Sequence, residues 1–330
     1  MNNNDKRKKI MLALILSAII VLISFIYNNY IAKAEPISKS DFLFNTIVEI
    51  QLNDSTDESL IDDCFALGER YEQYFSRTRA DSDISKINHA GGAPVEVHAE
   101  TAALIRAGIE YGTLSEGAFD ITIGALSDLW DIPNNQSTVP AQADIARALA
   151  TVGYEQIEIS GNTVTLENPD AMLDLGGIAK GYAADQMKAY LNENGVHEGF
   201  INLGGNVLTL GEKKKGPYRI GIQKPFDEGG ATITTVEISD QSVVTSGRYE
   251  RYFEKDGRIY HHILNPTDGY PYESGLNGVT IISDSSMEGD ALSTICFALG
   301  MEKAKALLSA MPNVDAVFID ENNRLHYMDN

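Results

Sequence analysis

The sequence predicts an α+β fold, mostly antiparallel sheets with helices packed on them, in a single compact domain. Three observations carry that expectation. Segments with apolar residues at helical spacing recur in the first half of the chain, short strand-like runs separated by tight turns crowd the second, and no linker or low-complexity tract divides them. The elements follow in order. Lys6, Arg7, Lys8 and Lys9 precede an apolar run over 10–26 broken only by Ser17 and Ser24, and Ala32-Lys33-Ala34 comes just before Glu35. That layout fits a signal peptide, or an N-terminal membrane anchor of nearly spanning length with its basic end in the cytoplasm. Residues 1–34 are therefore read as signal peptide or anchor, and 35–330 as an exported catalytic domain. No cysteine follows the run, so a lipobox is excluded.

A strand is expected over 46–52 and an amphipathic helix over 57–75, where Leu60, Ile61, Cys64, Leu67 and Tyr71 recur at helical spacing. A loop, "SRTRADSDISKIN", follows. Helices are read over 101–114 and, after Pro140, over 144–151. Runs at 156–159 and 163–166 flank Ser160-Gly161-Asn162 and read as a hairpin. A helix over 182–194 leads into strands at 199–202, 206–210, 218–222, 232–238, 242–246, 251–254 and 258–263. An inner strand at 278–282, a helix over 289–310 and strands at 316–320 and 325–327 complete the chain.

Charge narrows the function. The chain has 26 basic and 47 acidic residues, and setting aside the leader's five basic and one acidic residues leaves a formal charge of −25. Nucleic acid is a poor partner for such a surface. A phosphate-bearing ligand would need a local cluster of N–H groups, lysine or metal, and a divalent cation becomes more plausible. Cys64 and Cys296, each in an apolar helical context, read as two separate buried thiols.

Five polar, glycine-marked segments could carry chemistry. In "DLGGIAKGYAAD" a glycine pair and Lys180 stand where a helix would begin, an arrangement that suits a phosphate as well as a tight turn. Neither GxxxxGK[ST] nor GxGxxG is present. In "GDALSTICFALG", Asp290 and Thr294 lie four apart, so both oxygens face one side of a helix. Carboxylate plus hydroxyl suits Mg2+, which takes few protein ligands; the same pair also fits a cap and a threonine bonded to its own helix. His261 and His262 precede an Asn265-Pro266 turn, and strand alternation sends them to opposite faces, so at most one enters a given site. Asp120 in "AFDIT" fits a turn residue or a ligand acceptor.

Taken together and in order, "GAFDITIG", "LDLGGIAKGYAAD", "INLGGNV", "VTSGRYERYF", "YHHILNP" and "DALST" resemble the ApbE family of FAD:protein FMN transferases, from about Phe44 to the final helix. The resemblance implies an ApbE-like, T-fold-like domain that binds FAD and Mg2+ and moves FMN through a phosphoester bond onto a threonine or serine of an exported acceptor flavoprotein, releasing AMP. It implies FAD contacts at Phe44, Ala118, Phe119, Asp120, Asp174, Lys180 and Leu264. Metal ligands are implied at Gly177, through its carbonyl, and at Asp290 and Thr294, with Ser293 beside them. His262 stands where the family's histidine precedes Ile-Ile/Leu-Asp-Pro and is expected to be the general base, with Asp290 able to share the role; a rate loss on the acid side should follow. Acceptors of such enzymes carry a Ser/Thr-Gly-Ala-Ser/Thr-like segment in Rnf-type complexes, sodium-pumping quinone reductases or extracellular electron-transfer proteins. Contact with the membrane is expected only through the N-terminal segment.

The sequence also departs from the pattern. Asn265-Pro-Thr-Asp-Gly269 replaces Asp-Pro-Arg-Thr-Gly, Phe44-Asn45-Thr46 replaces Met-Gly-Thr, and Thr78 replaces an aromatic residue, which leaves flavin-ring stacking to Phe44, Tyr74 or Phe75. Two other functions fit the same residues: a Mg2+-dependent FAD pyrophosphatase, with water in place of the protein hydroxyl, and an exported flavin-binding protein without turnover.

Overall fold

The computed structural model describes residues 3–26, 35–135, 137–214, 216–227 and 229–328. Helix α1 (Asn3–Ile26) presents its described apolar side chains, from Met11 to Phe25, to solvent. Among the described residues no helix is long and apolar enough to cross a membrane. The Ala32-Lys33-Ala34 stretch lies outside the described residues.

Strands β1 (Ile37–Leu43) and β2 (Thr46–Leu52) form a hairpin whose turn, Phe44-Asn45, holds φ at 52° and 56°. Helix α2 (Ser59–Phe75) buries Ile61, Cys64, Phe65 and Tyr71. A lateral unit follows: α3 (Asp83–Asn88), β3 (Val95–Glu96), α4 (Ala99–Leu114), α5 (Gly124–Trp130), α6 (Gln142–Leu149), β4 (Ile157–Ser160) and β5 (Thr163–Leu166). Helix α7 (Ala179–Glu193) returns the chain to the sheet through β6 (Gly199–Leu203) and β7 (Asn206–Leu210). Then come β8 (Tyr218–Gln223), β9 (Thr232–Ile238), β10 (Ser242–Gly247), β11 (Tyr252–Lys255), β12 (Arg258–His261) and β13 (Leu276–Ser283). Helices α8 (Ser286–Leu299) and α9 (Met301–Leu308) and strands β14 (Asp315–Asp320) and β15 (Leu325–Tyr327) end the domain.

Eight strands make one antiparallel sheet in the order β1-β2-β6-β7-β10-β13-β14-β15. Side chains alternate between its faces. Val48, Ile50, Ile201, Leu203, Leu208 and Ile281 point to one face and are buried with residues of α2, α7 and α8 in the main core. On the other face Val243, Val317 and Ile319 are covered by the β8–β9 hairpin through Tyr218, Ile222 and Ile238. That hairpin covers the β10–β15 side, and the β1–β2–β6 end of the same face stays open. A smaller core of Leu126, Trp130, Ile145, Phe253 and Leu264 joins α5 and α6 to the β11–β12 hairpin.

The predicted class and most elements are found, and the differences have local causes. β1 was not expected: "ISKSDFL" lacks alternation because an edge strand with one neighbour can stay polar. The "SRTRADSDISKIN" loop contains α3, capped by the Ser82 hydroxyl accepting from the Ser85 N–H, and α5 is another short helix that periodicity over six or seven residues cannot show. The single helix expected over 289–310 is two, because Gly300 takes φ 73° between α8 and α9. The strand expected over 258–263 ends at His261. Helix α7 begins at Ala179, three residues before the expected start. Cys64 and Cys296 are free and buried, as expected.

The contact between α7 and α8 depends on Gly181. A Cβ there would press into the Ser286 carbonyl and the Met287 Cα. Gly181→Ala is expected to lower stability by about 1–3 kcal/mol through overpacking. Urea unfolding reads this as a lower midpoint with an unchanged slope, and an unchanged midpoint would show that the two helices can move apart at no cost.

Candidate active site

A cleft of about 1500 Å³ opens between the uncovered end of the sheet, the start of α7 and the α5–β12 corner. It exceeds the roughly 300–1,000 Å³ typical of a small-molecule pocket, so it has room for a dinucleotide and part of a second reactant. Phe44, Ala118, Phe119, Asp120, Asp174 and Gly177 line it, and so do Lys180, His262, Leu264, Asp290 and Thr294. Residues scattered over nearly 250 positions are thus brought to one place. Ser293 lies behind the wall instead: its hydroxyl donates to the Asp290 carbonyl at 3.0 Å and is 2.8 Å from the Ser246 Oγ.

The α7–α8 wall is built by short-range constraints. Asp174 Oδ1 accepts from the Gly176 N–H at 2.9 Å, which shapes the turn into α7. Gly177 packs so closely that a Cβ would strike the Phe119 ring, and that Cβ position is 3.9 Å from Thr294 Oγ1. This close approach is what the glycine permits. Lys180 stands in the first turn of α7 and extends its Nζ to 3.8 Å from Asp290 Oδ1. Asp290 Oδ2 accepts from the Gly181 N–H at 3.0 Å, so the carboxylate of α8 satisfies an otherwise unpaired donor at the start of α7. Burial pushes the Asp290 carboxyl above its ordinary range, against the pull of Lys180 and the Gly181 N–H. Thr294 Oγ1 donates to the Asp290 carbonyl at 3.4 Å and lies 3.1 Å from Ser246 Oγ. The helix-bonded threonine and the cleft-facing threonine are therefore the same residue.

Among the described residues no group of three or more His, Cys, Asp or Glu is placed to hold a metal ion. The oxygen set at this wall is of another kind, one carboxylate, one hydroxyl and the Gly177 backbone.

The two histidines diverge as alternation requires, although only His261 belongs to the strand. His261 is buried, and its Nε2 meets the Tyr272 carbonyl oxygen at 2.9 Å. His262 faces the cleft, with Nδ1 3.4 Å from the Arg251 carbonyl oxygen. A carbonyl only accepts, so this contact favours the proton on Nδ1 and leaves the Nε2 lone pair open. Burial, then His261 and Arg251, push the His262 imidazole down to about 3. It is neutral throughout the physiological range, so the acid-side loss expected from the sequence moves to much lower pH.

Asp120 lines the cleft with both oxygens already engaged. Oδ1 accepts from the Thr122 N–H and hydroxyl at 2.7 and 2.6 Å, and Oδ2 from the Tyr154 N–H at 3.0 Å. Of the three aromatic candidates for flavin stacking, Phe44 and Phe75 line the cleft. Tyr74 instead stacks on His98, with ring centroids 3.8 Å apart, and lines a separate depression.

Sequence reasoning passed over three charged residues. Arg77 pairs with Asp128 and sets its Nε 3.1 Å from Asp174 Oδ2. Arg251 and Glu250 line the opposite wall, and burial lifts the Glu250 carboxyl to about 7 despite Lys180 and Arg251. Glu250 and Arg251 sit inside the "TSGRYERYF" segment and could have been singled out there. Arg77 stands beside Thr78 in the "SRTRADSDISKIN" loop and could have been singled out there as well.

Lys180, Arg77 and Arg251 bring positive charge into the cleft of an acidic protein, with Arg77 paired to Asp128 and Asp174 and Lys180 facing Asp290. The model of the ApbE family matches residues 44–318, which span the whole cleft. An FAD:protein FMN transferase of Klebsiella pneumoniae is 43% identical over 271 residues, covering 81% of this chain and 84% of its own. One of Treponema pallidum is 33% identical over 315 residues, covering 89% and 87%. The crystal structure of the ApbE protein from Thermotoga maritima superposes with a TM-score of 0.83 at 32% identity, over 89% of this chain and 97% of that one. In sequence and in fold, the chain belongs to the ApbE family.

Proposed function

We propose that the protein is an FAD:protein FMN transferase that uses FAD as substrate and modifies a serine or threonine of an acceptor flavoprotein. The observation that carries this reading is the convergence of a neutral His262 and the Lys180–Asp290–Thr294 group on one cleft. His262 Nε2 takes the proton of the acceptor hydroxyl, and the hydroxyl oxygen forms a bond to the FMN-side phosphorus. The bond from that phosphorus to the bridging oxygen breaks, and AMP leaves with that oxygen. Lys180 offsets negative charge on the pyrophosphate.

Asp290, Thr294 and the Gly177 backbone fit Mg2+. All are hard oxygen donors, their number leaves room for water and phosphate oxygens, and Lys180 lies 3.8 Å from Asp290 Oδ1. Bound there, the ion supplies further positive charge to the pyrophosphate oxygens. The acceptor carries a Ser/Thr-Gly-Ala-Ser/Thr-like segment, and the basic residues followed by the apolar N-terminal run support a location outside the cytoplasmic membrane.

Incubation with FAD, Mg2+ and an acceptor domain bearing that segment is expected to yield AMP together with covalent FMN, seen as in-gel flavin fluorescence. AMP without covalent FMN would make the protein a pyrophosphatase. Retained flavin without AMP would make it a carrier.

A further inference from the structure

Outside α1, six large apolar side chains are exposed among the described residues, namely Phe42, Ile47, Leu114, Phe226, Tyr252 and Tyr327. Tyr252 lines the cleft, and Phe42 and Ile47 flank the hairpin turn that reaches it, with Phe42 also lining the depression beside Tyr74. Phe42 and Ile47 are 65% and 66% exposed and are direct cross-strand partners in the β1–β2 hairpin. They share the face of Glu49, which pairs with Asn202, which in turn pairs with Val207. Asn202 and Val207 line the cleft, as do Phe44 in the hairpin turn and Thr46 at the start of β2. The Gly204 N–H, also in the cleft wall, donates to the Ile47 carbonyl at 3.2 Å. The exposed pair therefore adjoins, through the hairpin turn and Gly204, residues that line the cleft. Phe226 packs edge-on against Tyr252 with centroids 5.4 Å apart, and Tyr252 lines the cleft.

Leu43 and Val48, on the opposite face of the same hairpin, are buried in the main core. The fold thus has no need of Phe42 and Ile47. An exposed pair of this kind beside a site marks a contact surface. Resting on the transfer reading above, we propose that Phe42 and Ile47 form the docking surface for the acceptor protein and receive apolar side chains that flank its hydroxyl residue. A folded acceptor is too large for the cleft and can insert only the modified segment, so the remainder must rest on the mouth. The sheet face that leads from the cleft to Phe42 and Ile47 is the path for it.

The test is the Phe42→Thr/Ile47→Thr double variant, with threonine chosen to keep strand propensity, and Leu114→Thr as a control. Two probes are compared, an acceptor domain bearing a Ser/Thr-Gly-Ala-Ser/Thr segment and a synthetic peptide of that segment alone. The double variant is expected to raise KM for the acceptor domain about tenfold, with kcat, KM for FAD and the peptide reaction unchanged. An unchanged KM for the domain overturns the proposal. If it is accompanied by loss of binding to anionic vesicles or loss of self-association in light scattering, the pair serves a membrane or a second copy. A raised KM for FAD would assign the pair to the nucleotide site and also overturn it. Absence of covalent FMN with the unaltered enzyme on either probe would instead overturn the transfer reading, and the docking surface with it.

Discussion

Asp290→Asn is expected to reduce FMN transfer by about 10³-fold, the loss typical of removing one strong electrostatic stabiliser of a transition state, while the protein stays folded. Asparagine is the informative change because Asp290 does two things. Its Oδ2 accepts from the Gly181 N–H at 3.0 Å, and its charge faces Lys180 and Thr294 in the cleft. Alanine would remove both and leave a buried N–H unpaired, which costs about 1–3 kcal/mol. Loss of activity in Asp290→Ala would then mix a weakened α7–α8 joint with a missing charge. The amide oxygen of asparagine keeps the acceptor and removes only the charge. AMP release measures the loss, and binding of Mn2+ followed by electron paramagnetic resonance gives a readout independent of turnover. Transfer within tenfold of the unaltered enzyme at limiting Mg2+ would remove Asp290 from any metal role.

The main core and the site differ in how legible they were. Buried strands and helices announce themselves because alternation and helical spacing must hold wherever one face is dry, as in β2 and α2. Where burial does not dictate the pattern, the sequence is silent. β1 is an edge strand with polar side chains, and α3 and α5 are too short to show a period. The break at Gly300 was written in the sequence as a single glycine inside an apolar helical run, a mark that many intact helices also tolerate. In the site, the segments with glycine and acidic residues could be found one by one, but not their mutual use. That Asp290 caps the start of α7 is a contact across 109 positions. That Asp174 faces Arg77 depends on where the loop after α2 comes to rest. Desolvation of His262 is likewise a property of the closed fold and cannot be read from its neighbours in the chain.

That desolvation sets the second large effect. His262→Ala is expected to lower transfer by about 10²–10⁴-fold, the range for a general base, and to leave FAD affinity within a few-fold, because Lys180, Arg77 and the "AFD" segment remain. His261→Ala should act differently. Its ring is buried edge-on against Phe297 and meets the Tyr272 carbonyl, so its loss should cost roughly 2–4 kcal/mol of stability and little rate at temperatures where the fold persists. The pH dependence of kcat/KM, which reports groups of the free enzyme, separates the remaining possibilities. A base must be unprotonated to work, and His262, held down to about 3, is unprotonated at every pH above roughly 4. It therefore contributes no acid limb between pH 5 and 8. Glu250, lifted to about 7 on the facing wall, titrates inside this window. An acid limb near pH 7 that disappears in Glu250→Gln belongs to Glu250 and leaves His262 as the base. A limb near pH 6 or 7 that survives Glu250→Gln and disappears in His262→Ala would mean that His262 is solvated and cationic below that pH, and a desolvated, permanently neutral imidazole could no longer be the acceptor of the hydroxyl proton.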